Sequence, residues 1–222
     1  MPPRYPGSVD FVLDQVEVRV VGCLIEKEIT TPEYYPLTLN ALVNACNQKS
    51  NRDPVVTYDE DTVESAIDSL REKQFATVIT GAGMRVPKYR QTLTETLNLG
   101  RREAALLCVL MVRGPETVRE LRDRTERMHP FADLAEVESV LEHLGAREPD
   151  PLVVRLPRQP GTKEPRYAHL LAGAPPLTAA VESPAAPPRE GRVAMLEEEV
   201  RLLREEVNSL KTQLAAFRSQ FE

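Results

Sequence analysis

The chain has 222 residues, of which 41% are hydrophobic and 28% charged, with no tryptophan. This is the balance of an ordinary soluble domain, long enough for one or two domains, and its cores must be aliphatic. A net charge of −6 and a pI near 5.3 argue against a general nucleic-acid coat protein, which would be basic.

Residues 1–13 read as a flexible N-terminal arm. From Gln15, apolar Val16, Val20, Val21, Leu24 and Ile25 recur at helical spacing. This first helix should end near Glu28, before Thr30-Thr31-Pro32. A short second helix is expected from Leu37 to Ala45, followed by a polar loop from Asn47 to Pro54. Thr57 with Glu60 has capping-box spacing and should open a third helix to about Lys73, with Val63, Ala66, Ile67 and Leu70 inside. Ala76 to Thr80 and Met84 to Leu93 then form a hairpin around Gly81-Ala82-Gly83.

The order repeats. Arg101 to Val112 is a first helix, stopped at Gly114-Pro115. Thr117 and Glu120 form a second capping box, opening a helix to about Met128. Asp133 and Glu136 cap a third helix that buries Val137, Val140, Leu141 and Leu144. Leu152 to Leu156 and Pro165 to Leu171 are strands. Local strings echo one another in the same order: Val63-Glu-Ser with Val137-Glu-Ser, Thr38-x-x-x-Leu42 with Thr117-x-x-x-Leu121, and Pro87-Lys-Tyr89 with Pro165-Arg-Tyr167. Three helices followed by a hairpin, twice over, is a tandem winged-helix arrangement. The class is mainly α with small β-hairpins (α+β), with one domain over 14–97 and the other over 98–173.

Residues 174–191 are rich in proline and alanine and read as a linker. In 192–222, Val193, Leu196, Val200, Leu203, Val207, Leu210, Leu214, Phe217 and Phe221 step by three and four, as coiled-coil seam positions do. Valine early at the a positions with leucine at d favours two strands. A parallel pair sets Glu199 against Arg204 and Glu206 against Lys211 of a second copy, so a homodimer is expected.

The string from Arg19 to Pro54, with Gly81 to Tyr89, Arg113 to Thr117, Arg124 to Asp133 and Leu156 to Gly161, closely resembles the YceH-like family of uncharacterised bacterial proteins. The resemblance covers residues 16–173. It implies a tandem winged-helix fold and no particular activity. Gln91 stands where that family pattern would lead one to expect histidine, and Glu116 where it would lead one to expect glutamine.

No catalytic constellation is visible, so an enzyme is not expected, nor is a cofactor or metal. His129, His143 and His169 have no metal-ligand spacing. Cys23, Cys46 and Cys108 lack CxxC pairing and lie in apolar helical patterns, as buried structural thiols do. The longest nearly pure apolar run, Ala104 to Val112, is too short to span a bilayer. The first residues lack the apolar stretch of a secretory leader. A cytoplasmic protein without a membrane partner is the expectation.

A DNA-reading helix-turn-helix places its recognition helix in the major groove, close to phosphates. Here the third helix carries Glu60, Glu64, Asp68 and Glu72 down one face, and Glu138 and Glu142 repeat part of that stripe. Phosphates would repel such a face. The cations lie on the hairpins: Arg85, Lys88 and Arg90 in the first copy, Arg155, Arg158, Lys163 and Arg166 in the second. Arg119, Arg122, Arg124 and Arg127 of the second copy's second helix lie among acids that can pair with them. The polar loop adds Gln48, Lys49 and Arg52, residue types suited to base edges and phosphates. The expected function is that of a non-enzymatic DNA-binding, transcription-regulator-like protein using wings and polar loop. The alternative is a protein–protein adaptor whose acidic third helices meet a basic partner.

Overall fold

The computed structural model describes residues 12–81, 85–158 and 164–173. The expected arm (apart from its last two residues), linker, coiled coil and its nine seam residues, the centre of the first hairpin turn and Lys163 lie outside the described residues.

Helix α1 (Gln15–Thr30) begins at Asp14 because two side chains satisfy two otherwise unpaired backbone donors. The Asp14 carboxylate accepts from the Glu17 N–H at 2.8 Å, and the Glu17 carboxylate accepts from the Asp14 N–H at 2.7 Å. A single 3-10 turn (Pro32–Tyr34) follows. Strand β1 (Leu37–Thr38) comes next, where a helix start was expected. Leu37 pairs across to Tyr89, which draws it into a sheet, and helix α2 (Leu39–Cys46) starts only after Thr38 caps it.

Helix α3 (Glu60–Glu72) is capped by Asp59, which accepts from the Thr62 N–H at 2.9 Å. The expected Thr57–Glu60 box does not form, because Asp59 is the residue directly before the helix and its side chain takes the cap. Strands β2 (Ala76–Ile79) and β3 (Lys88–Gln91) make the hairpin, and the short helix α4 (Leu93–Thr96) connects to the second half.

The second half repeats this with α5 (Arg101–Arg113), β4 (Glu116–Thr117), α6 (Val118–Thr125), α7 (Leu134–Gly145), β5 (Val153–Arg155) and β6 (Arg166–His169). The Thr117–Glu120 capping box is present in both directions. Asp133 caps α7, but Glu136 reaches instead to the Ala132 N–H at 2.9 Å. The class is mixed helix and strand, with seven α-helices and two small antiparallel sheets among the described residues.

Strand order is the same in both sheets, β1-β3-β2 and β4-β6-β5, so the last strand of each half is central. Tyr89 faces Leu37 and Val78; Tyr167 faces Glu116 and Arg155. The sequence echoes therefore fall at equivalent places: Thr38 and Thr117 cap second helices, Val63 and Val137 enter the core from third helices, and Tyr89 and Tyr167 lie in central strands.

The two halves share one continuous core, in which α1 packs on α5. Residues Ala104 to Val112 of α5 are buried on every side. Each fully enclosed leucine there is worth about 1.5–3 kcal/mol. Gly22 makes the crossing close: a Cβ at that position would lie 2.9 Å from Val112 Cγ1 and 3.1 Å from Met111 Cβ. The ends also meet, through a hydrogen bond from the Leu13 N–H to the Leu171 carbonyl at 2.8 Å.

Candidate nucleic-acid interface

On β3 the side chains alternate, as strand geometry requires. Tyr89 and Gln91 turn inward and are buried, while Lys88 and Arg90 are half-buried on the other face. Arg90 is held by the Glu95 carboxylate. Arg85, before the strand, is exposed. Gln91 is fully engaged. Its amide nitrogen donates to Glu28 at 2.5 Å and to the Thr94 hydroxyl at 2.8 Å, and its backbone N–H donates to the Tyr35 hydroxyl at 2.7 Å.

In the second hairpin Arg155 is exposed on β5, and Arg158 is exposed just beyond it. Arg166 is half-buried and committed locally: it donates to the Pro115 carbonyl at 2.8 Å and lies 3.7 Å from Glu120. Among the described residues, Lys49, Arg85, Lys88, Arg155 and Arg158 have no carboxylate within ion-pair distance.

The polar loop differs from its expected role. Arg52 is buried, 5% exposed. Its guanidinium grips both oxygens of Glu26, at 3.2 and 2.6 Å, and donates to the carbonyls of Ala45 at 3.1 Å and Asn51 at 2.8 Å. Burial would raise the Glu26 carboxyl, but Arg52 outweighs it and holds the group below its ordinary value. Asn47 bridges to Tyr58, donating to its carbonyl and accepting from its N–H, both at 2.8 Å. Asn51 adopts a positive φ of 57° and accepts from Arg113 of α5 at 3.3 Å. The Asp53 N–H donates to the Val112 carbonyl at 3.0 Å, and Arg19 donates to the Pro54 carbonyl at 2.8 Å.

The loop therefore fastens the end of α2 to α1 and α5, and Arg52 is not a partner-facing residue. The physical reason is that the carbonyls ending a buried helix need donors, and this loop supplies them. Gln48 is half-buried beside Lys27, at 3.5 Å. Lys49 alone of the three expected loop residues is exposed.

The acidic stripe lies on the outer face of α3, as its spacing requires. Glu60, Glu64, Asp68 and Glu72 are all exposed, and among the described residues Asp68 alone of the four has an ion-pair partner, Arg71 at 2.7 Å. Burial, then Glu64 and Asp68, raise the Tyr89 phenol. Burial also raises Tyr167, where Glu138 and Glu142 push the same way and Arg155 opposes them. In each half, then, the central tyrosine lies within electrostatic reach of the third helix's acids.

One buried charge was not foreseen from the sequence. Glu116 occupies the strand position that Leu37 holds in the first half, and is 3% exposed. Arg113 lies 3.3 Å away, and Arg124 is paired with the same oxygen. The signal was there: an acid in a register position that is leucine in the other copy. Arg119, Arg122 and Arg127 are exposed and have no ion pair among the described residues.

His129 stacks edge-on against Phe131 with centroids 4.7 Å apart, and exposed His143 lies 3.4 Å from Glu103. The Nδ1 of His169 is enclosed and has no hydrogen-bond partner among the described residues, and burial pulls this imidazole down to about 4. Among the described residues no group of His, Cys, Asp or Glu is arranged to hold a metal, and no helix is long and apolar enough to cross a membrane.

Residues 13–162 match the family model described as "Protein of unknown function, DUF480". A "UPF0502 protein" of Geotalea uraniireducens is 58% identical over 95% of this chain and 98% of its own length. Another from Geotalea daltonii is 60% identical over 96% of this chain and 100% of its own length, and one from Geobacter metallireducens is 59% identical over the same shares. The resemblance to the YceH-like proteins agrees with these matches.

Proposed function

The chain belongs to the uncharacterised bacterial UPF0502 family, the YceH-like proteins, and from that premise we propose that it is a non-catalytic, cytoplasmic DNA-binding protein. In this reading each half is a winged-helix unit, and the wings, not the recognition helices, meet the phosphate backbone. One observation carries it: Arg85, Lys88, Arg155 and Arg158 sit on or beside the two hairpins without an acidic partner among the described residues. Such cations can neutralise phosphates and release counterions, which is the sequence-independent part of DNA affinity. The acids of α3 and α7 turn those helices away from the groove, so binding with little base discrimination follows. Pairing of two chains through residues 192–222 as a parallel coiled coil would present four wings together. The test is a mobility shift with pooled genomic fragments at low salt, in which the full chain retards DNA. Free migration of all fragments would refute the proposal.

A second reading rests on the α3 stripe. Four exposed carboxylates at four-residue spacing, one of them paired, complement a basic protein segment. An adaptor of this kind would capture a partner stoichiometrically and lose it when Glu64 and Asp68 become lysine. Equal capture by that variant would exclude the reading.

A further inference from the structure

Residues 115–117, where α5 gives way to β4, are held by three guanidiniums from three different elements. Arg113, the last residue of α5, lies through Nε 3.3 Å from Glu116 Oε1, and Arg124 of α6 pairs with that same oxygen through Nη1. Arg166 of β6 donates through Nη1 to the Pro115 carbonyl at 2.8 Å, and its Nη2 lies 3.7 Å from Glu120. Arg113 also donates through Nη1 to Asn51 of the first half, at 3.3 Å. The cluster belongs to the second half alone. Leu37 stands in the register place of Glu116, and α2 carries no charged residue where α6 carries Arg124.

The charges of this cluster are incompletely matched. Two cations share one oxygen of Glu116, while its other oxygen, Oε2, is enclosed and has no hydrogen-bond partner among the described residues. Glu120 is engaged through Oε2 by the Thr117 N–H at 2.8 Å and hydroxyl at 3.0 Å, and its separation from Arg166 exceeds hydrogen-bond length. Nη2 of Arg113, with Nε and Nη2 of Arg124, have no hydrogen-bond partner among the described residues. Burial, then Arg113 and Arg166, pull the Arg124 guanidinium down to about 10, and Asp53 opposes them from beyond ion-pair distance. All three side chains still reach solvent, Arg113 being 21%, Arg124 30% and Arg166 41% exposed.

We propose that Arg113, Arg124 and Arg166 bind a phosphorylated small molecule through its phosphoryl oxygens. The planar fork of a guanidinium matches a phosphate with two parallel hydrogen bonds. A phosphoryl group offers three strong acceptor oxygens, and a diphosphate supplies enough for all three arginines. Because Arg113 also holds Asn51, a bound anion ties α5 and α6 to the loop of the first half. The site is separate from Arg85, Lys88, Arg155 and Arg158, the hairpin cations assigned to DNA, so it stands whether or not DNA is bound.

The experiment titrates the full chain with inorganic pyrophosphate, against sodium chloride at equal ionic strength, by calorimetry and by NMR of the arginine Nε–H signals. The expected result is saturable binding that shifts the Nε–H signals of Arg113 and Arg124. Arg124→Gln should weaken it by about tenfold or more, the loss of a charged hydrogen bond. Glu116→Gln should tighten it by about threefold or more, because the nearest negative charge goes and the side chain keeps its size. No saturable heat, or signals that move equally with chloride, would overturn the proposal, as would unchanged affinity in both variants. A short mixed-sequence duplex that moves these signals when pyrophosphate does not would give the arginines to DNA instead, and overturn it too. Where Arg124→Gln fails to fold, the wild-type signals and Glu116→Gln decide.

Discussion

Arg52 and Glu26 form a two-point ion pair in which the arginine side chain has no exposed surface and the glutamate is 15% exposed. It joins a loop that looks solvent-facing to α1. Removing either partner leaves the other charge enclosed. Arg52→Ala should therefore cost about 3 kcal/mol of stability, seen as a lowered denaturation midpoint with unchanged slope. An unchanged midpoint would contradict the buried role.

Gly22 sets the distance between the two halves. Gly22→Val adds atoms where a Cβ alone meets Val112 and Met111, and overpacking of this kind costs about 1–3 kcal/mol. Gly22→Ala should cost less, because Val112 Cγ1 is the end of a side chain that can yield. Chemical denaturation of both variants checks the order.

Acid should destabilise the protein through His169, Glu17 and Glu26. Burial lowers His169 from 6.5 to about 4, so the unfolded chain binds the extra proton first. Its contribution is present above pH 6.5 and is lost as pH falls toward 4. The residue as a whole is half-buried, and solvent nearby reduces the effect. Burial would raise Glu17, but Lys73 and Ser69 outweigh it and lower the group; Arg52 does the same for Glu26. Their contributions are lost on further acidification, below the ordinary carboxylate range. His169→Phe should flatten the upper part of the stability-against-pH curve, between about 4 and 6.5, and leave the lower part. A slope unchanged in that upper window would show that His169 does not contribute.

Helix caps give a local check. Thr117→Ala removes a reciprocal box and should cost about 1 kcal/mol. In the first half Asp59→Ala should lower the melting temperature, whereas Thr57→Ala should not, because Asp59 holds the Thr62 N–H. The opposite ranking would restore the cap to Thr57.

The helices and hairpins were legible because their signals are local. Val63, Ile67 and Leu70 recur at helical spacing and are buried together in α3, and Val137, Leu141 and Leu144 do the same in α7. What was not legible depends on partners far along the chain. Leu37 looks like a helix start until Tyr89, from the hairpin, pairs with it. Arg52 looks like a surface cation until Glu26, twenty-six residues earlier, closes on it. Glu116 breaks the repeat pattern at one position, and only the fold shows Arg113 and Arg124 converging there. The candidate site was thus partly readable: cation-bearing hairpins and acidic helices were visible in the sequence, while the ties of Arg52, Arg90 and Arg166 were not.

The proposed function holds that the two hairpins grip DNA by its phosphates. Its most direct test is binding of a mixed-sequence duplex followed by fluorescence anisotropy over a series of salt concentrations. The full chain is compared with Arg85→Glu/Lys88→Glu. The account predicts affinity that falls steeply with salt, and a slope in the variant shallower by about 2 in log–log terms, one for each phosphate that the variant leaves un-neutralised. No binding at low salt, or the same affinity and slope in the variant, would contradict it.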